Sequence, residues 1–342
     1  MRVAMWYNNR DVRLEEMPTP TIGEDEVLVR VEAGGLCGSD GMEWYRLHRS
    51  PLVLGHEIAG VIVDAGARVR RFRVGARVSV AHHVPCNTCH YCLAGHHSCC
   101  TTLQTTNFVP GGFSEYVRVP AINVDRGILS VPDDVSFEDA TFVEPLGCVL
   151  RGLRQAQMRP GLTVFVIGCG ISAQLMIMAA RALGAGLIVA CDSIPFRLEM
   201  ARVHGADAAI ESDDTAVDAL RELTGGRRAD LVVLCRPLVP LALRAVERGG
   251  TVLFFSGAED PKETIPVPWN EIFWRTEVTL TSSYASPPKD SATALALIES
   301  RRVPVGSMIT HRLGLGELGA AIEMLTHPWQ HRSMKIIIEC LR

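Results

Sequence analysis

The sequence lacks a strong excess of charge of either sign. Its 34 basic and 38 acidic residues give a formal net charge of −4, and no dense basic run occurs. Nucleic acids and anionic membranes are bound through clustered positive charge. We therefore expect neither kind of partner, and a small molecule is the more natural ligand.

A long uninterrupted apolar run is also missing. The longest apolar stretch, 164–180, is broken by Gly168, Gly170, Ser172 and Gln174, a pattern typical of a strand, a loop and a helix rather than a membrane span. Near the N-terminus, charged residues occur before any apolar core could form, so we expect no signal peptide. These features predict a cytoplasmic protein without a membrane anchor.

Internal repeats and low-complexity segments are absent as well. The 342 residues are 47% hydrophobic and 21% charged, which is ordinary for a globular protein and excludes a disordered or fibrous one. A chain of this length predicts two domains. In a reducing compartment, its eleven cysteines are better explained as metal ligands or buried apolar residues than as disulfides.

The first 135 residues contain short segments with alternating apolar and polar side chains, separated by Gly, Pro and Asp turn signals. Such segments occur at 27–31, 57–64, 73–80 and 113–119. We predict a β-rich, barrel-like region, interrupted by a cysteine-dense loop at 86–100.

The pattern changes at Ser136, which resembles the start of a capping box for an apolar helix reaching 155. Strand-like and helix-like segments then alternate, which predicts a doubly wound parallel sheet. Predicted strands lie at 163–167, 187–191, 229–235, 251–255, 278–284 and 335–339. Predicted helices lie at 171–183, 195–204, 240–247, 290–299 and 316–325.

A dinucleotide-binding turn follows the strand at 163–167. Gly168 and Gly170 begin a G-x-G-x-x-A motif that continues through Ile171 and Ser172 to Ala173. The first Gly allows the tight turn, and the second lets the backbone approach a pyrophosphate. The small Ala lets the helix pack close to the strand.

Asp192 ends the next predicted strand, where a carboxylate would bind a ribose diol and repel a 2′-phosphate. This position favours NAD over NADP. The alternative is that Asp192 caps the helix that starts at Pro195. The nearby Ser193 and Arg197 could contact the cofactor, and an arginine there would tolerate a phosphate.

Cys86, Cys89, Cys92 and Cys100 form a C-x2-C-x2-C-x7-C motif. Four thiolates on one loop suit a closed, tetrahedral structural zinc site. A redox loop and an iron–sulfur site are the alternatives. Cys99 lies beside Cys100, so the spacing leaves open which of the two is the ligand.

A second set of candidate ligands is dispersed along the chain: Cys37, His56, Glu57 and Glu144. A thiolate, an imidazole and a carboxylate can hold a zinc ion that leaves one position open for substrate. Each residue also has an ordinary structural interpretation, and spacing alone does not join them.

The C-G-S-D, G-H-E, four-cysteine and G-x-G-x-x-A motifs occur in this order, and with them the chain resembles the zinc-dependent medium-chain alcohol dehydrogenases over essentially its whole length. The Glu-Pro pair at 144–145 is similar to the sorbitol and threonine dehydrogenase branch. The resemblance implies two zinc ions per chain. One is a catalytic ion held by Cys37, His56 and Glu144, with Glu57 as an exchanging ligand or a neighbour of the ligands. The other is a structural ion held by the cysteine loop.

The resemblance also implies a GroES-like catalytic domain, 1–148 and 288–342, and an inserted Rossmann domain, 149–287, that binds NAD. Family members commonly form dimers or tetramers through the last strand of the cofactor domain, here 278–284. Ser39 matches the hydroxyl that takes the alcohol proton. Where many members continue this relay with a histidine, the chain has Met42, so the route beyond Ser39 is open; Glu43 and His48 are neighbouring candidates.

The expected reaction moves hydride between a secondary alcohol and NAD, with a polyol, sugar or cyclitol as substrate. The alternatives are an L-threonine-type amino-alcohol dehydrogenase, a zinc-free quinone reductase of the same fold, and a non-catalytic nucleotide-binding relative. Arg49 and Arg236 are candidates for anchoring a carboxylate. Aromatic candidates for the substrate pocket are Trp44, Tyr45, Phe108, Trp269, Phe273 and Trp274.

Overall fold

The computed structural model describes residues 1–257, 260 and 262–342. The chain divides into two compact units. The first comprises Met1–Gly147 and Ala285–Arg342, and the second comprises Cys148–Tyr284. The two ends of the chain therefore build one unit, with the other inserted between them.

Short strands alternate with helices along the chain. The strands are β1 Arg2–Asn8, β2 Asp11–Glu16, β3 Val27–Gly35, β4 Leu52–Val53, β5 Glu57–Ala65, β6 Arg77–Ala81, β7 Tyr116–Val119, β8 Ile128–Ser130, β9 Thr163–Ile167, β10 Leu187–Asp192, β11 Ala208–Glu211, β12 Ala229–Leu234, β13 Val246–Phe254, β14 Thr279–Ser282, β15 Ile309–Gly314 and β16 Lys335–Glu339.

The α-helices are α1 Glu43–Arg46, α2 His90–Leu93, α3 Thr101–Thr105, α4 Ala121–Arg126, α5 Phe137–Ala140, α6 Val143–Gln155, α7 Ile171–Ala182, α8 Pro195–Val203, α9 Ala216–Leu223, α10 Val239–Ala245, α11 Trp269–Phe273, α12 Pro288–Glu299, α13 Leu318–Thr326 and α14 Pro328–His331. Short 3-10 turns lie at Gly38–Asp40, Leu47–Arg49, His97–Cys99, Val305–Met308 and Leu315–Glu317.

The first unit is β-rich. Its larger sheet has the order β15-β16-β3-β5-β6-β8, with β7 also paired to β3, and a smaller sheet has the order β2-β1-β4. Trp6, Phe108 and Phe113 are fully buried in a core shared by these sheets. This arrangement is the GroES-like fold that the sequence predicts.

The second unit is a doubly wound parallel sheet. Its strand order is β11-β10-β9-β12-β13-β14, and every neighbouring pair is parallel. This is the Rossmann order, which reverses direction beside its first strand, β9. Val164, Val189 and Val232 are fully buried, as expected for strands covered on both faces.

Several predicted boundaries were wrong. The strand predicted at 251–255 begins at Val246 as β13, and the strand predicted at 113–119 begins at Tyr116 as β7. The helix predicted at 136–155 starts at its Ser136 cap as expected but is divided into α5 and α6 at 141–142, where the Thr141 hydroxyl donates to the Glu138 carbonyl at 2.7 Å. The strand predicted at 73–80 begins only at Arg77, after a turn at 74–75. The helix predicted at 240–247 ends at Ala245, and β13 starts at the next residue, Val246.

Within the described residues, no helix is both long and apolar enough to cross a bilayer.

Candidate functional site

The cysteine loop brings four thiols together. Cys89 and Cys100 precede the first turns of α2 and α3, Cys92 lies within α2, and Cys86 lies just upstream. All four sulfurs lie within 4.8 Å of one another. The Cys86–Cys92, Cys89–Cys92 and Cys86–Cys100 sulfur distances are 3.9, 3.6 and 3.6 Å.

These sulfur positions fit a tetrahedral zinc site. Bonds of about 2.3 Å to four sulfurs separate the sulfurs by roughly 3.8 Å, whereas a disulfide needs about 2.05 Å. Hydrogen bonds from Thr88 lower the pKa of the Cys86 thiol to about 5, whereas burial raises the pKa of Cys92 to about 12. A bound cation would displace the thiol protons of these four cysteines, because sulfur binds a metal ion as a thiolate. Cys99 is exposed and lies outside the group that the described residues form.

Replacing Cys86 with serine is expected to remove one equivalent of bound zinc and to lower the melting temperature by roughly 5–10 °C, because a tetrahedral site loses a ligand that holds the loop together. Metal analysis of the purified chain and thermal unfolding measure the two effects. Cys99→Ser is the matched control, since this neighbouring thiol lies outside the group. An unchanged zinc content in Cys86→Ser would contradict the assignment.

The second candidate centre joins residues that are far apart in sequence. Strand β3 runs antiparallel to β5, and Gly35 at the end of β3 pairs with Glu57 at the start of β5. This register places Cys37, just after β3, beside His56 and Glu57. A ligand atom from each of the three lies within 4.8 Å of the others.

Asp40 is a buried residue that contacts both Cys37 and His56 of this centre. Its fully buried carboxylate accepts the Cys37 N–H at 3.0 Å and lies 3.5 Å from His56 Nδ1. Burial opposes a charge on His56, yet Asp40 and then Cys37 raise the pKa of its imidazole well above the usual value. A cation at this centre would take the place of that proton. Asp40 thus orients both Cys37 and His56.

Glu57 is paired with a buried lysine from the far end of the chain. Lys335, in β16, is fully buried, forms an ion pair with Glu57 Oε2 and donates to the Leu36 carbonyl at 3.3 Å. The pair needs a glycine beside it, since a Cβ on Gly35 would lie 2.4 Å from the Glu57 carboxylate and 2.7 Å from Lys335 Nζ. The ammonium therefore fixes one oxygen of Glu57.

Ser39 lies next to the thiol, as its proposed role requires. Its hydroxyl donates to Cys37 Sγ at 3.5 Å and accepts from Arg46 Nη2 at 3.2 Å. Arg46 Nε also donates to the Ser39 carbonyl at 3.4 Å. The C-G-S-D motif made Ser39 a candidate, whereas Arg46, in α1, had no signal in the sequence.

The residues suggested for a longer proton route are placed differently. Met42 precedes α1, and the carboxylate of Glu43 accepts the Asn9 N–H at 3.1 Å. His48 is exposed and accepts from Arg49 at 3.2 Å. A route beyond Ser39 through either neighbour stays a prediction.

Glu144 lies in the first turn of α6 and is half-buried. It is not among the described residues whose ligand atoms lie within 4.8 Å of one another around Cys37 and His56. Direct ligation by Glu144 therefore stays a prediction, and Glu57 is the carboxylate that the geometry brings to the thiol and imidazole.

A pair of histidines follows β6 beside this centre. The His82 ring lies 4.9 Å from the His56 ring and 3.8 Å from the His83 ring, measured between centroids. Burial lowers the pKa of His83 to about 4 and that of His82 well below its usual value. The sequence contains this pair, but nothing in its spacing indicated that it would face His56.

In the second unit, the glycine turn has the geometry that a dinucleotide requires. Gly168 has φ +84°, and a Cβ there would lie 2.8 Å from Arg236 Cβ. A Cβ on Gly170, just before α7, would have no neighbour nearer than 4.0 Å among the described residues, and the Arg197 guanidinium lies at that distance. That open space at a helix N-terminus fits a pyrophosphate. Ile171 and Ser172 form the first turn of α7, and Ala173 is fully buried.

Asp192 ends β10 beside this turn. Its buried carboxylate accepts the Cys169 N–H at 2.5 Å and the Ile194 N–H at 2.8 Å. The hydrogen bond from the Ile194 N–H agrees in part with the alternative that Asp192 caps a helix, since Ile194 immediately precedes α8. The first ties the carboxylate to the glycine turn itself. Arg236 donates to the Ser193 hydroxyl at 3.5 Å, so this loop also carries positive charge.

The aromatic candidates are scattered. Phe108 is fully buried and its ring lies 6.5 Å from that of His82. Trp44 is exposed and packs edge-on against Tyr45. Trp269 and Trp274 are about 70% exposed and lie in the second unit with Phe273. Phe108 is thus the aromatic candidate that lies beside the histidines of the first unit.

Two family models match the chain. The alcohol dehydrogenase GroES-like domain matches residues 23–133, and the zinc-binding dehydrogenase domain matches residues 173–300. Together they cover more than half of the sequence.

Individual relatives agree with these matches. A sorbitol dehydrogenase of Bacillus subtilis (strain 168) is 34% identical over 73% of this chain and 73% of its own. An L-threonine 3-dehydrogenase of the same strain is 32% identical over 91% of each chain. A solved zinc-binding dehydrogenase from Sinorhizobium meliloti 1021, bound to NADP, superposes with a TM-score of 0.86 at 26% identity and covers 99% of this chain and 98% of that one.

Proposed function

The chain belongs to the zinc-binding alcohol dehydrogenase family, and from this premise we propose that it oxidises a secondary alcohol of the polyol, sugar or cyclitol class, using NAD as hydride acceptor. The observation that carries the proposal is the convergence of Cys37, His56 and Glu57 beside the Ser39 hydroxyl. This donor set suits a catalytic zinc ion, because thiolate, imidazole and carboxylate are its usual protein ligands.

Cys37 and His56 would hold the catalytic zinc, with a carboxylate, Glu57 or Glu144, completing the set. Bound zinc supplies Lewis-acid polarisation of the alcohol, and the nicotinamide accepts the hydride. A second zinc ion would lie among Cys86, Cys89, Cys92 and Cys100, which gives two ions per chain. Lys335 pairs with Glu57 Oε2 and so would fix the position of this carboxylate beside Cys37 and His56.

Ser39 would relay the proton that the alcohol releases: its oxygen takes that proton while its own hydroxyl hydrogen leaves toward water, so that serine stays neutral. Arg46 donates to the Ser39 oxygen, so that the hydroxyl hydrogen points away from the guanidinium, toward Cys37. The positive charge of Arg46, next to the Ser39 oxygen, also stabilises the negative charge that develops on the group that loses its proton. Arg46 does not itself accept a proton, since its guanidinium stays charged at any working pH.

The first unit would form the catalytic domain, and the second would bind the cofactor. Gly168, Gly170, Ile171, Ser172 and Ala173 would hold the pyrophosphate, and Asp192 the adenosine ribose. We favour NAD over NADP because the Asp192 carboxylate would repel a 2′-phosphate. The bound NADP of the Sinorhizobium relative argues for testing this preference directly.

Replacing Asp192 with glycine is expected to lower the preference for NAD over NADP by roughly 10- to 100-fold, because the variant loses both a hydrogen bond to the ribose and the repulsion of a phosphate. The measurement is kcat/KM for each cofactor at a fixed substrate concentration. Asp214→Gly is the control, since this exposed carboxylate lies after β11 in the same unit. An unchanged preference would refute the ribose assignment.

A panel of substrates tests the main proposal. Sorbitol, xylitol, myo-inositol, 2,3-butanediol, 2-butanol and L-threonine are each supplied with zinc-loaded protein and NAD, and reduced nicotinamide is followed by absorbance. Turnover of the polyols supports the proposal. Cofactor binding without turnover of any alcohol would instead indicate a non-catalytic relative.

L-Threonine is the second candidate substrate, and the threonine dehydrogenase relative at 32% identity supports it. An amino acid needs a cation for its carboxylate. Arg46 lies next to Ser39 with 17% of its side chain exposed, whereas Arg49 is bonded to His48 at the surface. Turnover of threonine in preference to the polyols would favour this second function.

Self-association is a further expectation from the family. Strand β14 lies at the edge of the six-stranded sheet, and α11 before it carries the exposed Trp269. An uncovered edge strand beside exposed aromatics suits pairing with a second copy as a homodimer or homotetramer. A cytoplasmic location stays a prediction from the sequence.

A further inference from the structure

His82 lies beside the catalytic centre without belonging to its ligand set. Its ring is in contact with the His56 and His83 rings, and the centroid of the Phe108 ring lies 6.5 Å from its own. Its backbone is fixed, because the buried Asn123 side chain donates to both the Ala81 and His82 carbonyls at 2.9 Å. The imidazole is therefore held firmly next to a zinc ligand.

One ring nitrogen of His82 lacks a hydrogen-bond partner among the described residues. His82 Nδ1 is buried and has no hydrogen-bond partner anywhere in 1–257, 260 or 262–342. The adjacent His83 differs, since its Nδ1 contacts the Thr106 carbonyl at 2.9 Å. Buried imidazole nitrogens are normally hydrogen-bonded, so an unsatisfied one beside a reaction centre points to a ligand group that completes it.

We propose that His82 is a substrate-binding residue that hydrogen-bonds a second hydroxyl of the substrate, close to the alcohol group that reacts, and thereby selects diols and polyols over monohydric alcohols. The proposal rests on the proposed function, whose substrate class it narrows.

A hydroxyl is the group that fits His82 best. A neutral imidazole offers one donor and one acceptor, and a hydroxyl offers the same pair in return. An aliphatic chain would leave Nδ1 unsatisfied, which disfavours a monohydric alcohol more than a diol. His82 contacts the His56 ring, whereas the Ser39 hydroxyl contacts Cys37 Sγ. The substrate's reacting and neighbouring hydroxyls can therefore be recognised by different residues.

The test compares 2,3-butanediol with 2-butanol, which differ by one hydroxyl. His82→Phe keeps a planar ring beside His56 and removes the hydrogen bond. We expect kcat/KM for the diol to fall about 10-fold, the size of one hydrogen bond, while kcat/KM for 2-butanol changes less than about twofold. His82→Asn, which keeps a donor and an acceptor, is expected to recover part of the diol preference. His311→Phe, a histidine on β15, is the matched control.

Other outcomes would overturn the proposal. Equal losses for both alcohols would mean that His82 only supports His56, and unchanged kcat/KM values for both would mean that it touches no hydroxyl. Calorimetric titration of 2,3-butanediol into the zinc-loaded, NAD-bound protein separates this proposal from the proposed function. Binding that is weakened in His82→Phe supports the role of His82 even if no alcohol is oxidised. Equal binding by both proteins, or none by either, refutes it.

Discussion

Replacing Cys37 with alanine is expected to abolish alcohol oxidation, with a loss in kcat of roughly 10³-fold or more. Cys37 supplies the only thiolate of its three-residue group, and the Ser39 hydroxyl and the Asp40 carboxylate both bond to it. Its removal takes away a metal ligand and leaves the Lewis acid that activates the alcohol weakly held. Initial rates of NAD reduction with the preferred alcohol measure the loss.

Two further measurements separate a lost metal from a lost fold. Zinc analysis of Cys37→Ala is expected to return one ion per chain, the one in the cysteine loop, and NAD binding by the second unit is expected to be unchanged. Cys99→Ala, at an exposed thiol outside both groups, is expected to keep full activity. Full activity in Cys37→Ala after dialysis against a chelator would refute the zinc mechanism.

Replacing Lys335 with methionine is expected to destabilise the chain by about 3–5 kcal/mol, because it leaves the buried Glu57 carboxylate without its counter-charge. Both groups are almost completely inaccessible to water, so solvent cannot take the place of the ammonium. Denaturant unfolding measures the change. Activity is expected to fall as well, since Glu57 loses the ion pair that positions its carboxylate beside Cys37 and His56.

A double variant tests whether the lost charge pairing is the cause. Lys335→Met combined with Glu57→Gln leaves no unpaired charge, so we expect it to recover most of the stability but not the activity. Arg342→Met, which breaks the exposed pair of Arg342 with Glu339 at 3.1 Å, is the control, with an expected change below about 1 kcal/mol. Equal destabilisation of the single and double variants would show that Lys335 acts through packing alone.

The fold was predictable where the local sequence pattern favours the same structure that the tertiary contacts require. The G-x-G-x-x-A turn lies between β9 and α7 as predicted, because a glycine turn between a buried strand and a helix has few other solutions. The division at 141–142 was missed, since the apolar periodicity continues across the gap between α5 and α6. Strand β11 was missed because its four residues are only partly buried and carry no continuous apolar pattern.

Prediction of the candidate site from the sequence was limited in the same way, because local motifs do not reveal tertiary contacts. Cys86 and its partners lie on one loop, so their spacing predicted the cluster that the structure contains. Lys335 reaches Glu57 across 278 residues through strand pairing, and no local motif marks it. His82 faces His56 because β6 pairs with β5, a register that the sequence does not reveal. Motifs gave the candidate ligands, while the residues around them depend on tertiary contacts.

Gly35 pairs with Glu57, so the geometry of the candidate metal centre depends on the register between β3 and β5. Side chains alternate between the faces of a sheet, so a slip of one position between β3 and β5 would turn the carboxylate to the opposite face, away from the thiol. A misaligned sheet would then be unable to retain the ion. Zinc retention by a purified variant therefore reports on correct assembly of the first unit before any substrate is added.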